Sequence, residues 1–186
     1  ISMKIPDEDL KNENLQWIEM LDRNYQAALD LLPLRTRKAY ENQILAGNCY
    51  RLMNDPSKAH AAYDAARIEL KNLLQKAPEM EGSSSAYFHS SISLAYAGLM
   101  HKAEAIREAK MAIELLPVSR DAMEGPDFVR NLAIVYVMIG DYDDAISQID
   151  LFSSEWSGTL LWIDPVWDPL RRHPRFQKIL EKYNHG

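Results

Sequence analysis

Small, aromatic and apolar residues return along this chain at fixed offsets. Ala46-Gly47, Tyr50, Ala59, Tyr63 and Ala66 recur as Ile92-Ser93, Tyr96, Ala105, Ala109 and Ala112, then as Leu132-Ala133, Tyr136, Ala145, Ile149 and Phe152; the tyrosine stands nine residues before the first alanine of the second half each time. Spacings of three and four are helical, and Asn54-Asp55-Pro56, Met100-His101 and Gly140-Asp141-Tyr142 are the turns that interrupt them, the first and third with residues that end or start helices. Each unit therefore predicts a helix pair, with a small residue and a tyrosine on the first helix and an alanine opening the apolar face of the second. Small residues let two backbones approach closely, and the tyrosine fills the space that remains. Tyr50, Tyr96 and Tyr136 are expected in equivalent buried positions, and Ala59, Ala105 and Ala145 against the first helices of their own units.

The spacing sets the boundaries. Equivalent alanines lie 46 and 40 residues apart, so insertions separate the units: an extended second helix through Glu69 to Ala77 with the loop Pro78 to Ser85, and a second loop from Pro117 to Pro126. Tyr25, Ala28 and Leu32 match the second helix of an earlier unit whose tyrosine position holds Glu19, so residues 8–33 read as a degenerate first pair. Residues 35–77, 84–117 and 126–154 are the three clear repeats of a single domain spanning 1–186, about nine helices in all. From 155 to 186 the pattern breaks at Trp162, Asp164-Pro165, Trp167, Asp168-Pro169 and Pro174 before Phe176, Ile179, Leu180 and Tyr183 restore it, a hook and then one short helix. A repeat array ends on an apolar face, and a tryptophan-rich tail suits its cover.

Composition narrows the function. With 186 residues, 47% of them hydrophobic, the chain can bury a sizeable core. Its 27 acidic and 21 basic residues leave a net charge of -6, which repels polyanions and disfavours nucleic acid as a partner. No apolar run approaches the roughly 20 residues that span a bilayer, and the polar, acidic stretch Ile1 to Asn14 is unlike a signal peptide. No direct membrane insertion is expected, and a cytoplasmic setting is favoured.

The repeats resemble the tetratricopeptide repeat, whose signature joins a small residue, a tyrosine three later, an alanine after the turn and a closing proline, here Pro117. The fold this implies is an all-α superhelix of antiparallel helix pairs with a Trp/Pro-rich C-terminal capping segment. The stretches Leu116 to Pro126 and Asp164 to Phe176 sharpen the likeness. Together with the repeats they are similar to the C-terminal region of large bacterial signalling proteins, where such a region follows a serine/threonine kinase, cyclase or DNA-binding regulatory domain. The resemblance implies a non-catalytic interaction scaffold whose partner is a protein, a peptide or another domain of the parent protein.

The chain's own chemistry agrees with that role. His60, His89, His101, His173 and His185 miss the spacing of a helical zinc motif, and Asp141, Asp143, Asp144 and Asp150 lack the glycine and glutamate of a calcium loop. Cys49, the single cysteine, reads as an inert buried thiol, and Ser83 to Ser85 as loop and helix-start residues. No catalytic residue, cofactor or metal is expected; a metal-dependent hydrolase is the alternative from another class, and an intramolecular regulatory domain is a third reading. In arrays of this kind the first helices line a groove. The resemblance therefore assigns partner contact to Glu41, Ile44, Asn48 and Arg51, to Tyr87, Ser90 and Leu94, and to Asp127, Arg130, Ile134 and Val137.

Overall fold

The computed structural model describes residues 7–34, 38–76, 83–152 and 155–182, and all regular structure among them is helical. Its helices are α1 (Asp7–Leu21), α2 (Tyr25–Asp30), α3 (Ala39–Leu52), α4 (Pro56–Lys76), α5 (Ser83–Gly98), α6 (Lys102–Leu115), α7 (Gly125–Ile139), α8 (Tyr142–Phe152), α9 (Glu155–Ile163) and α10 (Pro174–Lys182), with 3-10 segments at Leu32–Leu34 and Pro165–Leu170. The helix beyond the expected nine is α9, in the stretch read as a hook. Ser83 to Ser85 belong to α5 and not to the loop before it. The second insertion, between α6 and α7, is a pair of turns fastened by Asp121, whose carboxylate accepts the amides of Met123 and Glu124 at 2.9 Å.

Four turns share one backbone geometry, and it defines four equivalent helix pairs. Arg23, Asn54, Met100 and Gly140 each take a positive φ, from 58° to 87°. The next amide, that of Asn24, Asp55, His101 or Asp141, donates to the carbonyl of Glu19, Tyr50, Tyr96 or Tyr136 at 2.8–2.9 Å. Ala28, Ala59, Ala105 and Ala145 then donate to the carbonyls of Asn24, Asp55, His101 and Asp141 and lie buried. Helix-end carbonyls need such partners, and the left-handed residue supplies the bend. The first pair thus keeps the turn although Glu19 replaces the tyrosine, because the turn is made by backbone.

The pairs stack in chain order. Besides its own partner, each second helix packs on the next first helix, α2 on α3, α4 on α5 and α6 on α7, and the first helices α3, α5 and α7 touch in succession. Tyr63 of α4 is the wedge between units: a Cβ built on Gly47 of α3 would lie 2.6 Å from its ring, and one built on Gly98 of α5 would lie 2.2 Å from it. Its hydroxyl donates to Asn48 Oδ1 at 2.7 Å, and burial pushes its pKa up to about 12. Of the repeat tyrosines, Tyr96 and Tyr136 are buried, whereas Tyr50 is only half-buried under the Lys58 ammonium, 5.4 Å from its ring centre. Between α5 and α7, buried Ser90 accepts from Asn131 Nδ2 at 2.6 Å, a polar contact that fixes register where apolar packing alone would tolerate sliding.

One of the four turns carries glycine; the others place a side chain in the left-handed region, at a cost of about 1 kcal/mol each. Met100→Gly should therefore raise the denaturant midpoint, since the Met100 side chain is 57% exposed and gives up little packing. A lowered midpoint would mean that this side chain matters for reasons other than the turn.

After α8 the tail divides its work. Helix α10 packs on α8 and α9, burying Phe176, Ile179 and Leu180, while Arg175 pairs with Asp143 at 3.0 Å and Lys182 with Asp150 at 3.5 Å. The 3-10 segment instead packs on α7, and its Trp167 and Leu170 join the central cluster that also holds Ile134, Val137, Ile146 and Ile149. Trp162, expected to pack with them, is 41% exposed.

Candidate protein interface

The expected contact residues lie on α3, α5 and α7, and they differ in exposure. Glu41, Asn48 and Arg51 of α3 are half-buried, Leu94 of α5 is likewise, and Tyr87 and Asp127 are exposed. Ile44, Ser90, Ile134 and Val137 are buried, which corrects their assignment to a partner surface. Ile44 sits in the cluster with Tyr40 and Phe88, Ser90 holds Asn131, and Ile134 and Val137 belong to the cluster completed by Trp167 and Leu170.

The N-terminal part of the face is polar. Asn48 is committed to the Tyr63 hydroxyl, and the Arg51 guanidinium, beside Tyr63, has a buried Nε without a hydrogen-bond partner among the described residues. At its other end the Tyr87 ring meets Phe128 edge-on with centroids 5.1 Å apart. Burial and then the neighbouring carboxylates of Glu124, Asp127 and Asp121 raise the Tyr87 hydroxyl above its usual range.

Arg130, the remaining residue of the stripe, is occupied by the tail. Its guanidinium donates to Asp164 Oδ2 at 3.0 Å, and the Asp164 side chain is only 9% exposed. Burial raises the Asp164 carboxyl; the Val166 amide, at 3.0 Å, and Arg130 pull in the opposite direction by stabilising the carboxylate. Four residues later, both oxygens of Asp168 accept from Arg23 of the α1–α2 turn at 2.9 and 3.0 Å. Arg171 binds Asp168 as well, at 2.7 Å, and reaches back to the carbonyls of Leu161 and Asp164. Residues 164–171 therefore bridge α7 and the first helix pair, across 145 positions of sequence between Arg23 and Asp168. The Asp-Pro steps mark this segment in the sequence as a bend, but its arginine partners carry no local signal.

Several of the side chains screened for chemistry have structural partners, while His185 lies outside the described residues. His89 meets Glu108 at 2.7 Å, which with Arg107 holds the Glu108 carboxyl below its usual range against the burial that raises it. Asp141 pairs with Lys102 at 3.5 Å, and Asp143 and Asp150 serve the tail. Cys49 is buried with its sulfur 3.2 Å from Met20 Sδ, and burial pushes the thiol up to about 11, far from a nucleophile's range. Among the described residues no group of three or more His, Cys, Asp and Glu side chains is placed to hold a metal ion, and no helix is long and apolar enough to cross a membrane. Comparison of the chain with protein-family models, with curated proteins and with solved structures gave no match.

Proposed function

We propose that this chain is a non-catalytic protein-interaction scaffold, a tetratricopeptide-type superhelix that serves as the C-terminal module of a larger bacterial signalling or regulatory protein. The observation that carries the reading is the fourfold return of one turn and one buried alanine, stacked so that successive first helices lie side by side. A stack of this kind is quasi-one-dimensional, each pair touching its neighbours, and is not built around one central pocket. It offers instead an extended surface, and along the stripe Tyr87 and Asp127 are exposed while Glu41, Asn48, Arg51, Leu94 and Arg130 are half-buried. An intramolecular regulatory role is the second reading, favoured by the tail segment that the same face already holds.

A display library of random peptides selected on the immobilised chain tests the scaffold. Peptides enriched on the native chain should lose about tenfold or more in affinity, equivalent to about 1.4 kcal/mol, when Glu41→Lys and Asp127→Lys reverse two charges of the stripe. Unchanged thermal unfolding of that variant confirms that folding is intact. Enriched peptides indifferent to both substitutions would place the binding surface elsewhere, and a library yielding none would sink the reading.

A further inference from the structure

We propose that residues 164–171 act as an internal ligand of the first-helix face, and that this face takes from a partner protein an acidic, tryptophan-bearing segment of the same chemistry. The inference rests on the scaffold reading and adds to it the ligand class and its control. Three features of the contact define that class. Asp164 is recognised by Arg130 in a desolvated setting, Asp168 is held by both oxygens on Arg23, and Trp167 between them is 1% exposed. Paired carboxylates flanking a buried ring, Asp164 met by Arg130 and Asp168 by Arg23 as well as by Arg171 of the hook itself, form a recognition pattern and not merely an apolar cover.

The two ends of the hook are held unequally, which makes exchange feasible in steps. Arg23 and Asp168 have side chains 48% and 39% exposed, so their pairing is screened by water and salt. The α1–α2 end opens first. Beside it an open cleft of about 380 Å³, which Arg23 lines together with Glu19, Tyr25 and Met53, gives an incoming chain access to Arg23. The tethered hook competes at an effective concentration on the order of millimolar, so a separate segment with the same contacts gains little on the native chain. A partner succeeds by adding contacts beyond those of the hook, at Arg51 and Tyr87.

The test uses the full chain and a fluorescent synthetic peptide with the sequence of Trp162 to Arg172. Asp164→Asn with Asp168→Asn weakens the internal copy while keeping the side-chain oxygen that caps Val166. The doubly substituted chain should bind the peptide at least about tenfold tighter than the native chain, because apparent affinity scales with the fraction of open face. Adding Arg130→Gln in that background, or giving the peptide asparagine at both aspartates, should abolish the gain. Thermal unfolding of each variant shows that the chain is folded. Equal binding by native and doubly substituted chains, or binding that ignores Arg130, would overturn the proposal and leave the library result standing on its own. A concentration-dependent dimer of the native chain, lost in the doubly substituted one, would overturn the partner assignment in favour of tail exchange between copies.

Discussion

Trp167→Ala should lower the stability of this chain by about 3–5 kcal/mol, the range for deleting a buried tryptophan or phenylalanine side chain. The ring is 1% exposed and belongs to the large buried cluster to which α3 through α10 and the 3-10 segment contribute, so its removal leaves a void inside packed helices. Its loss also loosens the segment that brings Asp164 to Arg130, leaving a half-buried guanidinium without its carboxylate. Against a total of about 5–15 kcal/mol for a domain, that is a large fraction. Denaturant unfolding followed by helical circular dichroism measures it. A midpoint unmoved by the substitution would show that the hook is peripheral, whatever its burial.

The second large effect is expected at the wedge between the first two clear repeats. Gly98→Ala places a methyl group 2.2–2.5 Å from Cδ2, Cε2 and Cγ of Tyr63. Cγ is anchored to the backbone of α4 through a single carbon, so the ring cannot swing clear and the helices must part. Overpacking of this kind costs about 1–3 kcal/mol, and the depth of the overlap argues for the upper end. Gly47→Ala meets Cε1, Cδ1 and Cζ at 2.6–2.9 Å, nearer the free edge of the ring, and should cost less. Shortening the wedge with Tyr63→Leu should be costly alone but should recover part of the Gly98→Ala loss. Strictly additive losses would show that the ring is not what Gly98 accommodates.

The unevenness of these two sites in the sequence has a physical origin. Gly47 and Tyr63 fall within the repeat pattern, but the space beside the small residue was expected to be filled by Tyr50 of the same helix, and the structure fills it with Tyr63 of the second helix. Gly98 escaped that pattern, since its partner belongs to the preceding unit. The first helix pair was legible through Ala28 but ambiguous through Glu19, and the structure resolves it: the turn at Arg23 is closed by main-chain groups that do not depend on which side chain occupies position 19. Trp162 and Trp167 looked alike in composition, yet one is exposed and the other buried, because the bend at Asp164-Pro165 turns only the second toward α7.

Local periodicity, small residues at helix crossings and turn chemistry were enough to predict a helical chain of paired helices, since each depends on residues a few positions apart, and all regular structure among the described residues is helical. The accessible part of the first-helix face could not be obtained in the same way. Helical spacing places Glu41, Ile44, Arg130, Ile134 and Val137 on one stripe but says nothing about what later lies over it. Burial is a property of the packed whole: α7 loses its outer apolar residues to Trp167 and Leu170, and Arg130 loses its freedom to Asp164. The closure of the hook on Arg23 joins groups 145 residues apart, and only folding brings such groups within hydrogen-bonding distance.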